Sequence, residues 1–213
     1  MTDSGYGDFE FERRFFVDEL PLALLAEPDP VLILQSYLVA ADGYALRLRL
    51  QAGGVLLDTT APLDEDDVLE TYASQFDFCA ITVKGPPNGG TRYEAEREID
   101  VSVGVELVRR GGARILKNRY ATWIDSDGWV VDVFGGRNRG LIIAECERGT
   151  PVTNLAIPSF CATEVTEDRR FANENLSHEP YPQWRHRFLA ERAEHGPHFA
   201  QGFGTNTRAT DDL

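Results

Sequence analysis

The amino-acid sequence predicts a mainly β, α+β protein whose sheet closes on itself around a charged interior. Short stretches alternate charged and apolar residues, and the first is Phe9-Glu10-Phe11-Glu12-Arg13-Arg14-Phe15. Successive side chains of a strand point to opposite faces, so Glu10, Glu12 and Arg14 share one face. Such stretches recur along the chain, which predicts a closed sheet with charge inside, and a charged interior predicts a charged ligand.

Turn and breaker residues set the elements of the first half. A strand at 8–17 is followed by a helix at 18–27, which Pro28 ends. Asp42-Gly43 is a strong hairpin signal. The pattern around it predicts strands at 31–40 and 44–50, a turn at 53–54, a strand at 55–58, a helix at 61–76, and strands at 78–84 and 91–99.

The second half continues the same alternation and then changes character. A helix at 100–110 ends at Gly111-Gly112. Strands are predicted at 113–124, 128–135 and 140–148, and helices at 166–176 and 181–194. From Gly196 onward the small and polar residues predict a mobile tail. Trp184, Phe188 and Leu189 would pack the last helix on the barrel, with a homodimer contact as the alternative.

Bulk composition narrows the class of protein. With 213 residues the chain fits one domain, and its net charge of −14 argues against nucleic-acid or anionic-membrane partners. It still allows a small polyanion in an interior site. Cys79, Cys146 and Cys161 lack metal or disulfide spacing, and there is no signal pattern or membrane-length apolar run, so we expect a cytoplasmic protein.

Strand parity places two sets of charges on the interior face. The bases are Arg14, Arg47, Arg49, Lys84, Arg92, Lys117 and Arg119. The acids are Glu10, Glu12, Glu94, Glu96, Asp132, Glu145 and Glu147, with Glu98 at the margin, and Gln35 and Tyr37 add neutral groups. Carboxylates suit Mg²⁺ or Mn²⁺, and arginine and lysine suit phosphate oxygens. Together they are the parts that phosphoryl transfer needs.

These residues resemble the CYTH superfamily, the triphosphate tunnel metalloenzymes. Glu10-x-Glu12-x-Arg14 is similar to the family signature Glu-x-Glu-x-Lys. The similarity runs in order over about residues 8–178 and continues through Arg47-Leu-Arg49, Thr82-Val-Lys84, Arg92-Tyr-Glu94-Ala-Glu96, Lys117-Asn-Arg119, Asp132, Glu145-Cys-Glu147, Glu164-Val-Thr166 and Arg170-Phe-Ala-Asn173. The resemblance implies an eight-stranded antiparallel tunnel domain at 8–178, followed by a helix and tail at 179–213.

The resemblance also implies roles. The metal ligands would be Glu10, Glu12, Glu145 and Glu147, with Asp132, Glu94 and Glu96 as additional candidates. Triphosphate would be held by Arg14, Arg47, Arg49, Lys84, Arg92, Lys117 and Arg119. Lys117 would lie closest to the attacking water, with Arg14 and Lys84 as further catalytic groups. All four histidines fall after residue 177, so attack by metal-bound water is favoured over a covalent mechanism.

The expected activity is metal-dependent hydrolysis of a triphosphate, with inorganic triphosphate as the leading substrate. Alternatives within the family are cyclisation of ATP and hydrolysis of thiamine triphosphate, and a non-catalytic polyphosphate-binding module is the alternative of another class. Two departures from the family pattern stand out. Arg14 replaces the signature lysine, and the segment 51–77 is longer than in compact members, where it would be a surface insertion or a cap on the tunnel mouth.

Overall fold

The computed structural model describes residues 9–25, 30–86, 88 and 91–209. Eight antiparallel strands form a closed barrel, which confirms the predicted fold. They are β1 (Phe9–Val17), β2 (Val31–Ala41), β3 (Tyr44–Gly53), β4 (Phe78–Lys84), β5 (Thr91–Glu98), β6 (Ala113–Ile124), β7 (Asp127–Phe134) and β8 (Ile142–Arg148). Their order around the barrel is β1-β5-β4-β3-β2-β6-β7-β8, and β8 pairs back onto β1.

Short strands and helices surround the barrel. The strands are β9 (Ala156–Ile157), β10 (Cys161–Glu164), which pairs with β1, and β11 (Thr207–Arg208), which pairs with β9. The helices are α1 (Leu22–Leu25), α2 (Glu65–Tyr72), α3 (Val101–Arg109), α4 (Asn173–His178) and α5 (Tyr181–His195). No described helix has the length and hydropathy required to cross a membrane.

Local sequence signals explain most element boundaries. The β2–β3 hairpin turns at Asp42 and Gly43, both with positive φ (53° and 83°), as a two-residue type I′ turn requires. The Asp64 side chain caps α2 by accepting hydrogen bonds from the backbone of Asp66 and Asp67. Of the helix predicted at 18–27, only the α1 residues are helical, and residues 26–29 lie outside the described part. Residue 8 of the first predicted strand also lies outside it.

Two predicted elements are wrong. Residues 55–58 form no strand, because Asn118 on β6 binds both the N–H and the C=O of Leu57 and holds this segment as an irregular loop. The helix predicted at 166–176 begins only at Asn173. The Asp168 carboxylate accepts a hydrogen bond from the N–H of Arg170, which forms a tight turn in place of the first helical turns.

Three apolar clusters surround the charged interior. One lies between the barrel wall and α2 and α3, and contains Leu48, Leu69 and Val105. A second lies under the segment that includes β9. The third closes one end of the barrel, where Trp184 and Phe188 of α5 pack with Phe16 and Phe171, and Leu189 packs against it. The last helix therefore packs on its own barrel, as expected.

The segment 196–209 also contacts the barrel. The backbone oxygen of His198 accepts from the N–H of Glu164, and β11 extends β9. The predicted mobility of this tail and the domain boundary at residue 178 stay predictions.

Candidate active site

The barrel encloses a cavity of about 420 Å³ with strongly charged walls. Cross-strand register explains the convergence, because paired residues of neighbouring strands share a face. The pairs beside β1 are Glu10 with Arg92, Glu12 with Glu147, and Arg14 with Glu145. All predicted site residues except Asp132 line the cavity: Glu10, Glu12, Arg14, Arg47, Arg49, Lys84, Arg92, Glu94, Glu96, Lys117, Arg119, Glu145 and Glu147. Gln35 and Tyr37 line it too.

Asp132 lies behind two of the cations. Its carboxylate is fully buried and accepts hydrogen bonds from Lys117 Nζ (2.5 Å) and from Arg119 Nε and Nη2 (2.7 Å each). Arg119 Nη2 also donates to Glu145 Oε2 at 3.1 Å. The two positive charges outweigh burial and lower the pKa of Asp132 to about 2. Asp132 therefore holds Lys117 and Arg119 in place from outside the cavity.

A second ion-pair network crosses β1, β3, β4 and β5. Lys84 Nζ lies 2.8 Å from Glu10 Oε2 and 2.5 Å from Glu94 Oε2. Arg47 reaches Glu94 at 3.5 Å and Glu96 at 3.3 Å. Each cation thus contacts two carboxylates, which fixes its side chain before any ligand enters.

Arg14 and Arg92 bind backbone as well as facing the cavity. Arg14 Nη1 donates to the carbonyl of Phe171 and Nη2 to that of Thr166, both at 3.0 Å. Arg92 donates to the carbonyl oxygens of Gly43 and Gly85, and its Nη1 lies 2.8 Å from Glu174 Oε1. Both guanidinium groups therefore hold residues 166–174, called the closing segment because they cover one end of the barrel.

Three cavity arginines retain an Nε donor that makes no hydrogen bond to a described residue, although Arg14 Nε lies 3.4 Å from Glu12 Oε1, within ion-pair distance. The Nε atoms of Arg14, Arg47 and Arg49 are buried, and they have no hydrogen-bond partner within the described part of the chain. Buried donors are almost always paired in folded proteins, so each unpaired one calls for an explanation. An oxyanion bound in the cavity would supply the missing acceptors.

Glu12, Glu145 and Glu147 lie where β1 pairs with β8, a region called here the β1–β8 seam, and their negative charges repel one another. Burial, followed by the negative charge of Glu10, raises the pKa of Glu12 to about 7, and Glu145 adds to the effect. Burial and the same two neighbours raise the pKa of Glu147. This seam holds more negative charge than its protein cations balance.

Glu10 and Glu94 both contact Lys84 Nζ, at 2.8 and 2.5 Å. Burial, followed by the neighbouring Glu10, raises the pKa of Glu94 to about 8, whereas Lys84 outweighs the opposing effect of burial and lowers the pKa of Glu10 to about 2. Glu10 is therefore the stronger acid of the two.

These carboxylates suit a hard divalent cation. Glu10, Glu12, Glu145 and Glu147 supply only oxygen ligands. The raised pKa values of Glu12 and Glu147 indicate that added positive charge would stabilise their ionised forms. Within the described ranges, no group of three or more acidic, histidine or cysteine side chains is already arranged around a metal position. Small side-chain movements would therefore accompany metal binding.

Glu174 was not among the predicted site residues. It lines the cavity from α4 and pairs with Arg92, next to Asn173, which also lines the cavity. A signal was present, since Glu174 directly follows the motif Arg170-Phe-Ala-Asn173. Glu164 of the preceding motif Glu164-Val-Thr166 lies outside the barrel wall, where it pairs with Arg13.

A closed antiparallel barrel with acids and bases facing one interior cavity defines a tunnel-type protein for anionic ligands. The chain is 36% identical over 107 residues to an inorganic triphosphatase of Acetivibrio thermocellus, covering 49% of this chain and 69% of that protein. The chain belongs to the CYTH family of triphosphate tunnel proteins, as the resemblance predicted. No family model matches the chain.

Two of the similar solved structures have lower sequence identity to this chain. The inorganic triphosphatase NE1496 is 26% identical, with a TM-score of 0.48, over 79% of this chain and 93% of that chain. The PH1012 protein of Pyrococcus horikoshii is 14% identical, with a TM-score of 0.39, over 65% of this chain and 77% of that chain.

Proposed function

We propose that this protein hydrolyses inorganic triphosphate with the help of Mg²⁺ or Mn²⁺. The observation that carries the proposal is one cavity with unpaired arginine donors on some walls and uncompensated carboxylates at the β1–β8 seam. The first set fits phosphate oxygens and the second fits the metal ion. The relative from Acetivibrio thermocellus, named as an inorganic triphosphatase, supports the same reaction.

Glu10, Glu12, Glu145 and Glu147 would hold the metal, with Glu94 and Glu96 in support. The bound ion would neutralise phosphate charge and lower the pKa of a bound water. Asp132, which was predicted as an additional ligand, instead orients Lys117 and Arg119 in our proposal. Its carboxylate oxygens already accept from both cations.

The basic residues would bind and orient the substrate. Arg47, Arg49, Lys84 and Arg119 each hold an acidic neighbour and would turn their other donors to phosphate oxygens. Arg14 would contribute its Nε, which makes no hydrogen bond to a described residue and lies 3.4 Å from Glu12 Oε1. Arg92 would act through the closing segment that it holds. Fixed donors of this kind stabilise the charge that develops in phosphoryl transfer.

Lys117 would lie closest to the attacking water. It is fully buried, and burial lowers its pKa despite the charge of Asp132. Its Nζ donates one hydrogen bond to Asp132, which leaves two protons for the substrate or the water. Lys84, the further catalytic lysine, contacts two carboxylates through Nζ and would turn its remaining proton to the substrate.

The test is a substrate panel. Purified protein is incubated with triphosphate, ATP or thiamine triphosphate, with Mg²⁺, Mn²⁺ or EDTA, and phosphate release and cyclic AMP are measured. We expect phosphate release from triphosphate, dependent on metal and faster than from the organic substrates. Cyclic AMP, or faster release from thiamine triphosphate, would reassign the substrate. Tight triphosphate binding without turnover would identify a binding module and overturn the enzymatic proposal.

We also propose a cytoplasmic protein, because the buried Cys79 and Cys146 take part in no disulfide within the described part of the chain. The absence of nucleic-acid and membrane partners and the possible homodimer stay predictions. Light scattering of the purified protein decides the oligomeric state.

A further inference from the structure

Arg13 is a buried cation on the outer side of the barrel wall. It lies between Glu12 and Arg14 on β1, and parity turns it away from the cavity that its neighbours line. Its side chain is fully inaccessible to solvent. A charge buried this completely needs a full set of partners.

The partners of Arg13 come from two distant segments. Its Nε and Nη2 donate to the two carboxylate oxygens of Glu164, at 2.9 and 2.7 Å. Its Nη1 donates to Asn206 Oδ1 at 2.7 Å, and the Phe203 ring centroid lies 4.9 Å from its guanidinium carbon. The C-terminal segment therefore supplies the third acceptor and covers the ion pair.

Glu164 connects this outer pair to the cavity. Its Oε1 also accepts from the Thr166 hydroxyl at 2.8 Å, and the Thr166 oxygen in turn accepts from the backbone N–H of Arg14 at 3.1 Å. The carbonyl of Thr166 accepts from Arg14 Nη2. One continuous chain of hydrogen bonds thus runs from Asn206 through the barrel wall to the Arg14 guanidinium.

Asn206 is held for this contact from both sides. Its Oδ1 accepts a second hydrogen bond from the N–H of Leu155, and its Nδ2 donates to the carbonyl of Ala200. The N–H of Ala200 donates to the other oxygen of Glu164 at 2.8 Å. The tail therefore makes hydrogen bonds to both Arg13 and Glu164.

We propose that Asn206 is a positioning residue for the candidate active site. By completing the Arg13–Glu164 pair, the C-terminal segment sets Thr166 and, through it, the Arg14 guanidinium that faces phosphate. This inference depends on the proposed function only for its kinetic readout.

The first test measures triphosphate kinetics of full-length Asn206→Ala. We expect kcat/KM to fall about fivefold, mainly through a higher KM, since coupling through such a network is modest. Asn206→Asp keeps the acceptor for Arg13 but removes the donor to Ala200, so it should restore part of the loss. Gln201→Ala is the matched control, because the exposed Gln201 side chain donates to the nearby carbonyl of Phe199 and to no other group in the described ranges.

The second test asks whether the effect passes through Arg14. In an Arg14→Lys background, Asn206→Ala should change kcat/KM by less than about twofold, because the two substitutions act on one network and are not additive. Equal losses in both backgrounds, or a lower unfolding temperature with unchanged KM in Asn206→Ala, would overturn the proposal.

A third readout separates this inference from the proposed function. The Nε–H NMR signal of Arg14, assigned by its loss in Arg14→Lys, should shift in Asn206→Ala and stay in place in Gln201→Ala. This measurement needs no turnover. An inactive wild-type protein with a shifted signal would refute the triphosphatase proposal alone, and an unshifted signal would refute the positioning role.

Discussion

Arg14 stands where the family signature has a lysine, and its contacts show what the larger group does. Two of its nitrogens bind the carbonyls of Thr166 and Phe171, and the third, Nε, lies 3.4 Å from Glu12 Oε1. A lysine has a single nitrogen and cannot reach both carbonyls while facing the cavity. The arginine therefore combines a cavity charge with a clamp on the closing segment.

Arg14→Lys should lower the free energy of unfolding by about 2 kcal/mol, because it leaves buried carbonyls without a charged donor. Urea denaturation followed by tryptophan fluorescence measures the change. Arg139→Lys is the control, since Arg139 is exposed and, among the described residues, its side chain donates to the carbonyl of Thr60 alone. Equal stability of the wild type and Arg14→Lys would show that the clamp contributes nothing.

Glu12→Gln should abolish metal-dependent turnover and yet stabilise the metal-free protein. Burial and the charge of Glu10 raise the pKa of Glu12 from 4.5 to about 7 in the folded state. Its contribution is thus fully present below pH 4.5 and is lost as the pH rises through 7. Glutamine stays neutral, so at pH 8 with EDTA we expect a gain of about 2 kcal/mol.

Denaturation curves of Glu12→Gln at pH 5 and pH 8 check the sign of this effect. The gain should shrink towards pH 5, and the exposed Glu167→Gln should show none at either pH. A loss of stability at pH 8 would mean that Glu12 is well compensated, and the argument for a metal at the seam would fail.

At the scale of elements, two barrel strands use outward-facing side chains to hold neighbouring segments in place. On β6, Lys117 and Arg119 face inward and Asn118 faces outward to bind Leu57. On β1, Arg13 faces outward and binds Glu164 and, in the tail, Asn206. The segment 51–77 lies against the outside of the barrel, because its helix α2 packs on the apolar cluster between the barrel wall and α3. This position favours the surface insertion over the cap on the tunnel mouth.

Asn118→Ala tests that interpretation. It removes both hydrogen bonds to the Leu57 backbone, so we expect the free energy of unfolding to fall by about 2 kcal/mol. The KM for triphosphate should stay within about twofold of wild type, because energetic effects of this size at an outer brace need not reach the ligand. A large rise in KM with unchanged stability would favour a cap on the tunnel mouth.

At the scale of the whole molecule, the barrel holds several carboxylates close together at the β1–β8 seam, where they repel one another in the absence of a bound cation. Added Mg²⁺ or Mn²⁺ should raise the unfolding temperature by about 5 °C at saturation, since a ligand that binds only the folded state stabilises it. Differential scanning fluorimetry against a NaCl series of equal ionic strength measures it. The shift should vanish in Glu12→Gln; an equal shift with NaCl would point to general screening.

Parity within strands predicted the interior residues well because it is a local property of an extended backbone. Glu12 and Arg14 needed only the period of two to be placed on the cavity face. Glu174 was missed because it reaches the cavity from a helix, where parity has no meaning. The burial of Arg13 was equally hidden, since its partners lie more than 150 residues away in sequence.

Alternation and ordered motifs along the chain were therefore enough to predict the closed sheet, the two sets of charges inside it and the family. Which charges already have partners depends on the three-dimensional fold. It placed Asp132 behind Lys117 and Arg119, committed two nitrogens of Arg14 to backbone carbonyls, and brought Asn206 onto Arg13. Those choices depend on distances between segments far apart in sequence, which a pattern of neighbours does not contain.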